Sequence, residues 1–195
     1  MVRKLNPEKR EMYLKIALKL FAQNGVTNTS TAAIANEAGT AAGTLFLYFP
    51  TKQALIDTLV IKISKEQAQF IEAQLDLRLS AQENFKIIWQ GSIDWFRENM
   101  DAYQYTLQVR DAGVIDTDVV EESQQHLGYY FAVIQKALEE NAIKPYPFEL
   151  VGNTLYQQIV GVMDLIRRQP DVTTQDAYID QGFEIFWNGI RTQGN

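Results

Sequence analysis

Proline occurs at only five positions, 7, 50, 145, 147 and 170. Between them nearly every segment repeats its apolar residues with a period of about 3.6, and none sustains the alternation of a strand. Patterned this way, the chain buries its apolar side chains as packed helices, so an all-α fold is expected. Cap signals divide it into about nine helices. Asn6-Pro7-Glu8 reads as an N-cap, a proline at the first helical position and an acid in the first turn. That helix ends at Asn24-Gly25, with Met12, Ile16, Ala17, Leu20 and Phe21 as its buried face. Two short helices, Thr31–Ala38 and Ala41–Phe49, follow. Thr51 then caps a long one from Lys52 to about Leu75. Further helices are expected over 81–99, 102–112, 117–141, 147–168 and 174–192. Breaks near Leu79-Ser80, Gly113, Pro145-Tyr146-Pro147 and Pro170 separate them.

Composition narrows the function classes. The 195 residues are 46% hydrophobic, enough for a sizeable core. Cysteine is absent, which excludes disulfides and thiolate metal sites. The single histidine, His126, cannot build a transition-metal site alone and reads as a surface or satisfied core residue. No metal or cofactor is expected. No apolar run approaches the ~18 residues that span a bilayer, and no apolar core follows the basic start MVRKLNPEKREMYLK. A soluble, cytoplasmic protein without a membrane partner is the expectation. The charge is uneven: residues 1–62 carry a net +4 and residues 63–195 a net −10. A basic head on an acidic body points the head at a polyanion, or else reflects a solvated helix face. Arg3, Lys4, Lys9 and Arg10 are either an arm on phosphates or solubilising charges.

The segment EAGTAAGTLFLYFPTKQ, residues 37–53, sets the two short helices about Ala38-Gly39-Thr40. Gly39 supplies the backbone freedom a sharp interhelical corner needs. Ile34, Ala35 and Ala38 share one face of the first helix, and Leu45 and Phe49 share one of the second. This is the pattern of a helix-turn-helix, whose second helix enters the major groove. The small residues Thr40, Ala41, Ala42, Gly43 and Thr44 then form the end that comes close to base edges and phosphates. The rings of Phe46 and Phe49 anchor the other end to the supporting helices and read as core ahead of DNA contacts, with Phe46 kept among the DNA-binding candidates.

Thr29-Ser30-Thr31, Ile34-Ala35, Glu37-Ala38-Gly39, Gly43-Thr44-Leu45, Tyr48-Phe49 and Lys52 through Leu55 together resemble the DNA-binding signature of TetR-family transcriptional regulators. The resemblance covers roughly residues 8–60. It implies a DNA-binding domain at 1–52 and a helical effector-binding and dimerisation domain at 53–195. It also implies roles by position. Ser30 caps the first short helix and touches a phosphate; Thr31, Ala41, Ala42, Gly43 and Thr44 lie toward the groove; Tyr48 and Lys52 contact phosphates. Phe46 stands where the family usually has Tyr, and Ala42 where a longer polar side chain is common. Readout would lean on thymine methyls, Thr31 and DNA shape.

The acidic body is rich in rings, which read as ordinary core or as the lining of an apolar cavity. By the resemblance, central helices enclose an effector pocket, with Trp89, Tyr103, Tyr105, Tyr130 and Tyr156 as candidates and Arg110 and Gln157 as orienting groups. Arg110 alternatively pairs with Asp111. The last two helices carry apolar stripes suited to burial in one subunit or to a partner helix. Leu155, Ile159, Met163, Phe183, Phe186 and Trp187 are the candidates for a homodimer interface. The expected function is a ligand-responsive homodimeric regulator, a repressor released from a palindromic double-stranded operator by a small apolar or aromatic effector. The alternatives are an all-α small-molecule carrier or enzyme with an incidental basic head, and an adaptor using the helix-turn-helix on protein. No nucleophile–base pair is visible, which disfavours the enzyme.

Overall fold

Local signals start the helices where the sequence places them. The Asn6 side chain accepts from the Glu8 N–H at 2.8 Å, Ser30 from the Ala33 N–H at 3.1 Å, and Thr51 from the Ala54 N–H at 3.0 Å. Each satisfies a donor the helix itself leaves unpaired. The computed structural model describes residues 5–193, and among these it is all-α. Its helices are α1 (Pro7–Asn24), α2 (Thr31–Glu37), α3 (Ala42–Tyr48), α4 (Lys52–Glu72), α5 (Ala81–Glu98), α6 (Met100–Ala112), α7 (Thr117–Gln124), α8 (Gly128–Glu139), α9 (Phe148–Arg168) and α10 (Val172–Ile190). Ile143 and Arg191 form an isolated antiparallel bridge. None of these helices is long and apolar enough to cross a membrane.

Three expectations are corrected. The segment 117–141 is two α-helices, α7 and α8, with the tighter turn Gln125–Leu127 between them, so ten α-helices replace nine. α7 buries no residue, and the backbone leaves α-helical geometry at Leu127, with φ −91°, ψ 16°. The buried face of α1 is Tyr13, Leu14, Ala17, Phe21 and Ala22; Met12, Ile16 and Leu20 are only half-buried. α10 starts before residue 174, because the Asp171 carboxylate caps it by accepting from the Thr174 N–H at 2.8 Å.

The chain forms two compact units. The first comprises the described part of 1–66 together with 98–126. Here α1 packs on α6 and α2, and α2 on α3. Phe21 stacks on Tyr105 at 5.9 Å, and the Tyr105 hydroxyl donates to the Ile56 carbonyl at 2.8 Å. Gln108, from α6, closes the end of α1 with both ends of its amide. Its Nε2 donates to the Ala22 carbonyl and its Oε1 accepts from the Val26 N–H, each at 3.1 Å. Two main-chain groups that no helix bond could serve are thereby paired.

The second unit comprises 67–97 and the described part of 127–195. Its core is a cluster of rings, Phe85, Trp89, Phe183, Phe186 and Trp187, in tilted and stacked pairs 5.8–6.5 Å apart. The Trp89 indole N–H donates to the Ile179 carbonyl at 3.0 Å. Gly182 lets α10 approach this closely: a Cβ there would stand 2.7 Å from Val162 Cγ2 and 2.9 Å from Trp89 Cζ2. α4 runs unbroken through the sequence boundary between the two units.

Candidate nucleic-acid interface

The corner between α2 and α3 is built by one glycine and one hydroxyl. Gly39 has φ +63°, a conformation costly for other residues. Thr40 closes the turn, its N–H donating to the Ala35 carbonyl at 2.9 Å. Its hydroxyl lies 2.8 Å from that of the fully buried Tyr13 in α1. The Tyr13 ring also meets the Tyr48 ring at 5.5 Å, tilted by 59°, and the Tyr48 hydroxyl accepts from the Asn6 N–H at 3.3 Å. Both ends of α3 are therefore fixed to α1. Buried Thr29 locks the loop before α2, donating to the Gly25 carbonyl at 2.8 Å.

On α3, Leu45 is buried, as is Phe49 just past its end. At about 100° per residue, the opposite side is centred on Gly43 and Leu47, flanked by Thr44 and Phe46. Exposure follows that arithmetic: Leu47 is 65% exposed and Phe46 43%. This corrects the reading of Phe46 as a core ring. It lies one residue off the Leu45–Phe49 stripe and turns away from the core, while Phe49 alone is the anchor. The Arg10 guanidinium sits over the Phe49 ring at 5.1 Å, a cation–π contact that explains this charge without a phosphate. Arg3 and Lys4 lie outside the described residues.

The other residues assigned to DNA lie in the same unit. Ser30, Ala41 and Gly43 are exposed; Thr31, Ala42, Thr44, Tyr48 and Lys52 are half-buried. The Lys52 ammonium donates to the Thr27 carbonyl at 3.3 Å, and desolvation pulls its pKa below the usual lysine value. Leu47 has no role in the resemblance and is exposed at the centre of the outward face. Its signal was available as the i+4 partner of Gly43. Tyr13 and Gln108, which position the motif, carry no local signal because their partners lie 27 and more than 80 residues away.

The seven effector candidates do not belong to one unit. Tyr103, Tyr105 and Arg110 lie in the first, and Trp89, Tyr130, Tyr156 and Gln157 in the second. Trp89 and Tyr105 have their polar atoms committed to main-chain carbonyls. Tyr103 is buried, Tyr156 half-buried and Gln157 exposed. Arg110 is exposed and 3.7 Å from Asp111, the pairing alternative. Tyr130 differs: it is buried among Phe85, Phe148 and Gly152, and its hydroxyl has no hydrogen-bond partner among the described residues. Burial pushes its pKa well above the ordinary tyrosine value.

The six dimer candidates, Leu155, Ile159, Met163, Phe183, Phe186 and Trp187, are all buried inside the single chain. Packing within the second unit accounts for them, leaving almost no area for a partner. The large apolar side chains left in solvent on α9 and α10 are Leu150, Leu165, Val172 and Ile185.

Residues 14–59 match the family described as bacterial regulatory proteins, tetR family. The HTH-type transcriptional regulator LuxR of Vibrio harveyi is 34% identical over 92 residues, which cover 47% of this chain and 45% of that protein. The chain thus spans less than half the length of this curated relative. The uncharacterized HTH-type transcriptional regulator YhgD of Bacillus subtilis is 23% identical over 167 residues, 80% of this chain and 83% of that one. A crystal structure from Shewanella sp. PV-4, described as a tetR family transcription regulator, superposes with a TM-score of 0.87 at 26% identity, covering 95% of this chain and 99% of its own. Local motif and whole-chain fold agree: residues 14–59 match the model of the tetR family of bacterial regulatory proteins, and the whole chain is similar in fold to a tetR family transcription regulator.

Proposed function

We propose that the protein is a homodimeric repressor that binds duplex operator DNA and is released by a small apolar or aromatic effector. The carrying observation is α3, pinned to α1 at both ends yet presenting an outward face of Gly43, Phe46 and Leu47 that is exposed among the described residues. Residues 1–52 act as the reading head, with Ser30, Tyr48 and Lys52 on phosphates and Thr31 and α3 toward the bases. The net +4 on residues 1–62 supports a polyanionic partner.

Residues 53–195 bind the effector and a second copy of the chain. Tyr130 carries the effector reading within its own unit, since a buried hydroxyl without a partner suits a ligand acceptor amid apolar rings. The dimer face is assigned to the exposed stripes Gln157–Gly161–Leu165 on α9 and Gln181–Ile185–Gly189 on α10. The glycines Gly161 and Gly189 have open space where a Cβ would stand. These features suit a soluble, cytoplasmic regulator.

Footprinting on random-sequence-selected duplexes across a salt series tests the reading. Protection that weakens linearly in log[salt] supports it. Absence of any footprint at low salt refutes it and returns the chain to the carrier, enzyme or adaptor alternatives.

A further inference from the structure

The outward face of α3 is apolar where a base-reading helix ordinarily carries amides or guanidinium groups. Its only side chains with hydrogen-bonding atoms are Thr44 and Tyr48, and the Tyr48 hydroxyl is already engaged by the Asn6 N–H. Bidentate readout of guanine by Arg or Lys, or of adenine by Asn or Gln, is therefore unavailable on this helix. In their place stand Leu47, 65% exposed at the centre of the face, and Phe46 on its flank. Large apolar side chains held adjacent in water mark a contact surface.

One turn before Leu47 on the same stripe is Gly43. A methyl there would meet no heavy atom of the described residues within 4 Å, and its backbone is not among the positive-φ glycines. The fold gives no reason for a glycine at this point of a helix, where it weakens the structure. Close approach of something outside the chain does give one.

The charge of the head selects the occupant. The face lies on a segment of net +4, beside Lys52, which favours a polyanion over an apolar protein partner. In the major groove the apolar group offered by a base edge is the C5-methyl of thymine. We propose that Leu47, flanked by Phe46, reads thymines through their methyl groups, with Gly43 admitting the groove wall close to the helix. Half-site specificity then rests on methyl contacts instead of hydrogen bonds to guanine or adenine. This inference depends on the DNA-binding reading above.

The test replaces thymine by deoxyuridine in a duplex selected from random sequence by the wild-type protein. Pairing and every hydrogen-bonding group stay the same, and only the methyls go. Wild-type affinity is expected to fall about fourfold for each contacted methyl, the worth of one buried carbon. Leu47→Ala, at an exposed position, is expected to bind the thymine and uridine duplexes with nearly equal affinity. Phe46→Ala should retain part of the difference. Restoring methyls as 5-methylcytosine at positions where cytosine replaces the contacted thymines should recover part of the lost affinity. Equal wild-type binding to both duplexes overturns the inference while leaving the regulator reading intact. Full thymine preference in Leu47→Ala overturns the assignment to Leu47. Failure to bind any duplex sinks the DNA reading itself, a result distinct from both.

Discussion

The Tyr13 hydroxyl in α1 lies 2.8 Å from the Thr40 hydroxyl at the corner between α2 and α3. The two partners are unequal. Tyr13 is fully buried and its hydroxyl has Thr40 as its one partner among the described residues, whereas Thr40 is half-buried and can also donate to the Ala35 carbonyl at 3.4 Å. Thr40→Val leaves a buried phenol unpaired and is expected to cost about 1–3 kcal/mol. Tyr13→Phe leaves Thr40 with an alternative and should cost about 0.5–1.5 kcal/mol. Urea denaturation of both variants checks the order; a larger loss for Tyr13→Phe would contradict it.

Gly43 separates stability from binding. Gly43→Ala should stabilise the protein by up to about 1 kcal/mol, because alanine favours helix and its methyl meets nothing among the described residues. In the groove the same methyl overpacks by about 1–3 kcal/mol, a loss of roughly 5–150-fold in operator affinity. Thermal melts and binding titrations should move in opposite directions. Unchanged affinity would show that DNA does not approach Gly43.

Lys52→Ala should weaken binding about equally on all sequences and lower the slope of log affinity against log[salt] by about one. Tyr48→Phe should also act uniformly on sequence, with little change of slope since it removes no charge. Thr31→Ala should instead alter base preference. Titrations on selected and scrambled duplexes at several salt concentrations distinguish these. A sequence-dependent effect of Lys52→Ala would place it on a base.

Assembly should respond to exposed and buried positions differently. Ile185 is 67% exposed and Leu165 50%, so Ile185→Asp and Leu165→Asp should give folded monomers. Phe183→Asp and Ile159→Asp place a charge in the second unit's core, at a cost of several kcal/mol, and should unfold or aggregate. Sedimentation with circular dichroism reads both. A dimer that survives Ile185→Asp and Leu165→Asp together would move the interface elsewhere.

The Asp171 cap gives a pH dependence of known sign. Hydrogen bonds from Thr174 hold its carboxyl below the usual value. A folded pKa below the unfolded value, about 3.9, stabilises the protein above that pH and ceases to do so as pH falls through the folded value. Asp171→Asn keeps an acceptor but does not titrate. The melting-temperature gap between wild type and Asp171→Asn should be widest near neutrality and close in acid below pH ~4. A gap constant with pH would refute the linkage.

The sequence by itself determined the all-α class, most of the helices, the caps at Asn6, Ser30 and Thr51, the Gly39 corner and the family signature. Each depends on residues within a few positions of one another: a 3.6-residue period, a side chain bonded to an N–H two or three residues on, a glycine at positive φ. Only tertiary structure decided which apolar side chains are buried and which remain in water. Phe46 and Leu47 sit beside Leu45 in sequence, yet the fold buries only Leu45 of the three. The stripes of α9 and α10 looked equally suited to a partner or to the core, and packing within the second unit took them. Likewise the Tyr105 hydroxyl, the Gln108 Nε2 and the Trp89 indole N–H donate to carbonyls 49, 86 and 90 residues away. Periodicity fixes the direction of a side chain relative to its own helix. Burial depends on what arrives from elsewhere in the chain, and that information is not local.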